Sequence, residues 1–84
     1  MVMMKSAARV DVFTTDRGLA DRLALELGPY FTDDSVAGET IYGFRGIGAE
    51  EAYAAKNMAR DLPIELRDNK TGEVLHPKGA VSHA

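Results

Sequence analysis

The sequence predicts a two-layer α+β sandwich, in which two helices cover one face of a small β-sheet. Several short segments alternate apolar and polar residues, as half-buried strands do. Two longer segments repeat apolar residues every three or four positions, which is typical of amphipathic helices. The chain has 84 residues, the length of one domain. We expect that domain to span residues 8–76, with residues 1–7 and 77–84 as flexible termini.

The first predicted elements are a strand over Arg9–Thr14 and a helix that follows it. Two valines alternate with other residues in the strand, which indicates that one of its faces is buried. Thr15 or Asp16 is a suitable N-cap, because a short side-chain oxygen can accept from the free amides of the first turn. The Gly28–Pro29 pair predicts the end of the helix, since proline cannot continue it. The leucines that form its apolar stripe are Leu19, Leu23 and Leu27.

The middle of the chain contains one or two strands and a second helix. Residues 30–39 are compatible with a short strand, Tyr-Phe-Thr-Asp, followed by a turn. Thr40–Arg45 is rich in β-branched and aromatic residues and is predicted to be a strand, with Gly46 and Gly48 at its exit. The second helix is predicted over Ala49–Leu62. Its buried stripe is expected to consist of Ala52, Ala55, Ala59 and Leu62.

The predicted domain ends in a hairpin. Pro63 ends the second helix, because the residue before a proline avoids helical angles. Residues 64–67 alternate isoleucine and leucine with charged residues, which predicts a strand. Asn69–Gly72 fits a type I turn followed by a left-handed glycine, and residues 73–76 return as the last strand.

The number of strands in the middle segment decides between two topologies. Two strands give the βαββαβ order of ferredoxin-like domains with an added C-terminal hairpin strand, which we favour because Tyr30 and Phe31 need a buried place. One strand gives the βαβαββ order of a thioredoxin-like domain. Val10–Thr15 and Leu62–Ile64 resemble segments of that family. Its redox cysteines would fall at Asp16–Leu19, so this resemblance implies no redox activity.

Composition excludes several classes of function. The chain contains no cysteine, which excludes disulfides, thiolate metal sites and thiol chemistry. Its net charge of −3 has the wrong sign for a domain that binds nucleic-acid phosphates. The glycine cluster Gly43–Gly48 lacks the spacing of a dinucleotide-binding loop. Only His76 and His83 offer imidazole ligands, so we expect no metal, no cofactor and no catalytic activity. We also expect a cytoplasmic protein, since no apolar run approaches the length of a membrane span.

Tyr42-Gly43-Phe44 resembles the central part of the aromatic motif on the third strand of RRM domains. The resemblance implies that these rings, with Phe13 on the first strand, would stack on the bases of single-stranded RNA or DNA. The strand alternation argues against it. If Tyr42 and Phe44 faced outward, Arg45 would point into the core without a partner. We therefore expect both rings to face the helices and Arg45 to face solvent.

These exclusions favour a small non-catalytic protein-binding module, an adaptor or a stoichiometric inhibitor. Anti-CRISPR inhibitors and other phage products fall within this size class, and the hypothesis includes a nucleic-acid-handling complex as the partner. The acidic residues expected to meet a basic groove of that partner are Asp33, Asp34, Glu39, Glu50 and Glu51. The outer sheet face is expected to carry a charge ladder with Phe13 in its middle. Phe13 is expected either to anchor a partner or to be covered by the C-terminal strand or tail. The ladder would pair Arg9 and Asp11 with Glu65 and Arg67. A single-stranded nucleic-acid binder and a dimeric ligand-binding domain are the alternatives.

Overall fold

The computed structural model describes residues 8–35 and 37–77, which form five strands and two helices. The elements are β1 (Arg9–Thr14), α1 (Arg17–Leu27), β2 (Phe31–Asp33), β3 (Ile41–Gly48), α2 (Ala49–Ala59), β4 (Glu65–Asp68) and β5 (Val74–His76). The middle segment therefore contains two strands, as expected, and not the single strand of the βαβαββ order. The expectation of flexible termini concerns residues that, apart from Pro77, lie outside the described part of the chain, as does His83.

The five strands form one antiparallel sheet in the order β2-β3-β1-β4-β5. The central strand β1 pairs with β3 on one side and with β4 on the other, so the N-terminal strand joins the two halves of the chain. The edges are the three-residue strands β2 and β5. Short edge strands leave few free backbone groups for unwanted pairing with other chains.

Both helices pack on the same face of the sheet, which gives the two layers of an α+β sandwich. The buried cluster joins the inward residues of β1, β3 and β4 to the apolar stripes of the two helices. It comprises Val10, Val12, Leu19, Leu23, Phe44, Ala52, Ala55, Ala59 and Leu66. The predicted stripes are confirmed for Leu19, Leu23 and the three alanines, whereas Leu27 and Leu62 lie at the margin of the core. Neither helix, each 11 residues long, has the length and apolar character needed to cross a bilayer, within the described residues.

The helix ends and turns follow the local chemistry of the sequence. The Asp16 carboxylate accepts a hydrogen bond of 2.8 Å from the Leu19 amide and caps α1. Gly72 has a φ of 79°, the left-handed conformation predicted for the β4–β5 turn. The Asp68 carboxylate accepts from the amides of Thr71 and Lys70 in the same turn, and these bonds lower the pKa of Asp68.

Two predicted boundaries are wrong by more than one residue. α2 ends at Ala59, three residues early, because Arg60 adopts a φ of 56° and breaks the helix. β3 begins at Ile41 and continues to Gly48, whereas the sequence predicted a strand over Thr40–Arg45 with Gly46 and Gly48 at its exit. The strand continues because the pairing of β1 with β3 shifts by one residue between Val10 and Val12, which is a β-bulge. Gly46 accommodates the bulge with a φ of 66°.

Candidate functional site

The sheet face opposite the helices, called the open face below, carries no helix in the part of the chain that the structure describes. Because the buried residues of each strand point toward the helices, the residues between them point to the open face. The register places these side chains in rows. One row runs Phe31, Gly43, Phe13 and Glu65 across β2, β3, β1 and β4. The neighbouring rows contain Arg45, Asp11 and Arg67 on one side, and Asp33 and Ile41 on the other.

Two phenylalanines form the centre of the open face. The rings of Phe13 and Phe31 lie 6.2 Å apart between centroids, at an interplanar angle of 79°. They come from strands that are not neighbours, since β3 lies between them. Phe31 reaches across β3 because Gly43 has no side chain: a Cβ there would lie only 2.3 Å from Cζ of Phe31. Gly43 therefore holds open the space that allows the two rings to meet.

Arg45 lies beside this aromatic pair and is held there by Asp11. Its guanidinium carbon is 4.8 Å from the Phe31 ring centroid, and one guanidinium nitrogen is 3.7 Å from Oδ2 of Asp11. Such a cation over an aromatic ring is attracted by the negative charge on the ring face. The cation, the ring and the carboxylate thus form one connected group on the open face.

Asp11 is itself fixed by the β-bulge. Its Oδ1 accepts hydrogen bonds from the Gly46 amide at 2.9 Å and from the Asn69 side-chain amide at 2.8 Å. The residue is only 7% exposed, and these donors compensate the cost of burying a carboxylate. The expected charge ladder is therefore wrong at this position. Although Asp11 lies opposite Arg67 in the register, its ion pair is with Arg45, and Arg67 contacts Glu65 on its own strand.

The side chains of the open face surround a depression of about 490 Å³. Its apolar floor and walls include Phe13, Phe31, Ile41, Pro63 and Ile64. Charged groups stand around it, namely Asp33, Arg45, Glu65 and Arg67. An apolar centre with a charged rim, enriched in aromatic residues and arginine, is the usual anatomy of a protein–protein interface.

Asp33 is the one rim carboxylate without an ion pair among the described residues, since Glu65 contacts Arg67. It accepts a hydrogen bond of 2.9 Å from the Ser35 amide. The side-chain hydroxyl and backbone amide of Ser35 together lower the pKa of Asp33. Asp33 therefore stays ionised to lower pH than an ordinary aspartate.

The structure does not bring the five predicted acidic residues together. Asp33, Asp34 and Glu39 belong to the β2–β3 hairpin, where Asp34 accepts a 2.7 Å hydrogen bond from the Thr40 hydroxyl. Glu50 and Glu51 lie in the first turn of α2. The two groups are at opposite ends of the eight-residue strand β3, on the order of 20 Å apart at the usual rise per residue. A single basic groove that contacts all five is therefore not favoured by this arrangement.

The orientation of the β3 aromatics agrees with expectation. Phe44 is 2% exposed and belongs to the core, and Arg45 faces solvent. Tyr30 packs edge-on against both Phe44 and Tyr42, at centroid distances of 6.0 and 5.1 Å. A base-stacking platform made of Phe13, Tyr42 and Phe44 is therefore not present, because only Phe13 of the three lies on the open face.

Sequence reasoning identified Phe13 and missed the role of Gly43. It expected Phe31 to be buried, which is wrong, because Phe31 lies on the open face and only Tyr30 packs against the core. The alternation of Phe31 with Asp33 was a usable signal, since both must share one face of a strand. The pairing of Phe31 with Gly43 depends on the hairpin register, which the sequence left open. Within residues 8–35 and 37–77, no three histidine, aspartate or glutamate side chains are grouped so that they could hold a metal ion.

Comparisons with protein-family models, with curated proteins and with solved structures found no match to this chain.

Proposed function

We propose that this chain is a small non-catalytic protein-binding module, an adaptor or a stoichiometric inhibitor, that binds a protein partner with its open face. The observation that carries the proposal is the fixed aromatic pair of Phe13 and Phe31 beside Arg45, at a depression of about 490 Å³. Aromatic and arginine side chains dominate the energetic centres of protein interfaces. Gly43 leaves room for the Phe31 ring against Phe13, and Asp11 contacts Arg45, so these contacts form before binding, which reduces the entropy lost on association.

A protein fits this face better than a nucleic acid does. Both arginines near the depression already contact carboxylates, Asp11 and Glu65, so their charge is largely compensated. Asp33 adds a negative charge at the rim, and the whole chain carries −3. Phosphates would be repelled by this balance. Arg45 also occupies one face of the Phe31 ring, where a base would stack.

The topology included in the proposal is ferredoxin-like, with β5 as the extra C-terminal hairpin strand. The sheet order β2-β3-β1-β4, with two helices on one face, supports this topology. Within residues 8–35 and 37–77 no helix covers the opposite sheet face, and that face is the proposed binding surface.

The proposal is tested by affinity capture from an extract of the native host with three immobilised proteins: wild type, Phe31→Ala and Leu25→Ala. Leu25 is 85% exposed on α1, in the helical layer away from the open face, and serves as the matched control for loss of an apolar side chain. Circular dichroism checks that each variant is folded.

We expect wild type and Leu25→Ala to capture the same protein species in comparable amounts. Phe31→Ala should lower its affinity at least about ten-fold, since truncating an anchor of an interface typically costs 2 kcal/mol or more, roughly a thirty-fold change. Equal capture by Phe31→Ala would contradict the proposed site. Capture of nucleic acid alone, sensitive to Phe31, would replace the protein-binding function with the nucleic-acid alternative.

A further inference from the structure

The charges around the depression are unequally compensated. Arg45 contacts Asp11, and Arg67 contacts Glu65, so two cations and two anions are paired. Asp33 lies on the same rim, is exposed, and has no ion pair in the described part of the chain. Its hydrogen bond from the Ser35 amide satisfies one oxygen and leaves its negative charge uncompensated. The charge of the depression that has no ion-pair partner is therefore negative, and it lies at Asp33, at the β2 end of the depression.

The unmatched charge has a defined spacing from the aromatic centre. Phe31 and Asp33 lie on the same strand, two residues apart, and both project on the open face. Two residues along a strand span roughly 6.6 Å, which is also the distance between alternate side chains of any extended segment. An extended segment placed alongside β2 therefore presents its side chains at the spacing of the aromatic pair and the carboxylate.

We propose that the open face binds an extended segment of the partner protein in which an apolar side chain and a lysine or arginine lie two residues apart. The apolar side chain contacts Phe13 and Phe31, and the basic side chain contacts Asp33. This inference rests on the proposed protein-binding function and names the chemistry of the partner segment. Asp34 and Glu39 of the same hairpin add negative charge near this end, which favours the basic group further.

The test uses three synthetic peptides and ¹H–¹⁵N NMR shifts of the full chain. The first peptide is acetyl-Gly-Phe-Ser-Lys-Gly-amide, the second replaces its lysine with glutamate, and the third replaces its phenylalanine with serine. Each is titrated into wild type, Asp33→Asn and Asp33→Lys. Asp33→Asn keeps a side-chain acceptor for the Ser35 amide, so it remains informative if Asp33→Lys disturbs the hairpin.

We expect the lysine peptide to shift amides of the open face and to bind wild type about two- to five-fold more tightly than the glutamate peptide, the range of an exposed ion pair. Asp33→Asn should weaken this preference, because only the more distant Asp34 and Glu39 then favour the lysine, and Asp33→Lys should reverse it. The peptide without phenylalanine should bind most weakly to every variant.

Equal binding of the lysine and glutamate peptides to wild type would overturn the inference. So would shifts confined to the helical layer, or no shift with any peptide. Shifts on the open face when the protein alone is concentrated would assign the face to a second copy of this chain. Shifts with an oligothymidylate but not with peptides would assign it to a nucleic acid. None of these peptide results decides the capture experiment with Phe31→Ala, so failure of the segment chemistry and failure of the protein-binding function are distinguishable.

Discussion

Gly43→Ala is the substitution that most specifically disturbs the open face. The new Cβ would lie 2.3 Å from Cζ and 2.6 Å from Cε2 of Phe31. An ordinary contact begins at 3.4 Å, so the ring must retreat by at least about 1.1 Å, the difference between these distances. Gly43 is not among the glycines with positive φ, so alanine fits its backbone conformation. The substitution should therefore act by displacing the Phe31 ring and not by straining the backbone.

The expected change in stability is modest because opposing terms partly cancel. Displacing the ring weakens the contact with Phe13, at roughly 0.5–1.5 kcal/mol, and the contact with Arg45, at roughly 0.5–1 kcal/mol. Replacing glycine by alanine returns about 0.4–1 kcal/mol by reducing the entropy of the unfolded chain. The net loss in the free energy of unfolding should thus be about 1 kcal/mol. Binding of the partner should fall nearly as far as in Phe31→Ala.

A double-mutant cycle measured by urea unfolding separates these terms. In the Phe31→Ala background the ring is gone, so Gly43→Ala should stabilise the protein by about 0.4–1 kcal/mol. The two substitutions should therefore couple by roughly 1–2.5 kcal/mol, well beyond the ~0.5 kcal/mol scatter of independent sites. Equal effects of Gly43→Ala in both backgrounds would refute the contact between the ring and Gly43.

Three further predictions concern the support of this face and the core. Asp11→Ala should lower the free energy of unfolding by about 1–3 kcal/mol, because two part-buried hydrogen bonds lose their charged acceptor. Asp11→Asn can keep both hydrogen bonds and should cost less while releasing Arg45. Equal losses for the two variants in urea unfolding would contradict this division of roles. Leu23→Ala should lower the free energy of unfolding by roughly 2–5 kcal/mol, because Leu23 is fully buried, whereas the exposed Leu25→Ala should lower it by less than about 0.5 kcal/mol. Similar melting temperatures for the two variants would mean that the leucine stripe is misplaced. The pKa of Asp68 in the folded protein should lie below its value in the unfolded chain. Its contribution to stability is therefore complete above the unfolded pKa and is lost as the pH falls through the folded pKa. A carboxyl ¹³C titration that finds an unshifted pKa would contradict the hydrogen bonds that Asp68 accepts in the β4–β5 turn.

Local patterns were sufficient for most of the fold. The valine alternation in β1, the leucine spacing in α1 and the Gly28–Pro29 stop each express a short-range preference that the packing reinforces. The end of β3 was not accessible in this way. Its continuation depends on the β-bulge in its pairing with β1, where the Gly46 amide donates a hydrogen bond to Asp11, 35 residues away in the sequence.

The candidate site was predictable only in part, because it depends on strand register. Alternation alone placed Phe13 and Arg45 on the outer face of the sheet. The contact between Phe13 and Phe31 requires the order of three strands and the absence of a side chain at Gly43. The predicted acidic surface failed for the opposite reason. Glu39 and Glu50 are close in sequence, but they lie at opposite ends of the eight-residue strand β3 and so are far apart in space.

Binding of a protein partner to the open face is tested most directly by NMR cross-saturation from the captured, unlabelled partner to the amides of this ¹⁵N-labelled chain. We expect saturation to transfer to amides in β1, β2 and the first half of β3, around Phe13, Phe31 and Gly43. Transfer to the helical layer instead, around the exposed Leu25, Tyr53 and Met58, would contradict it.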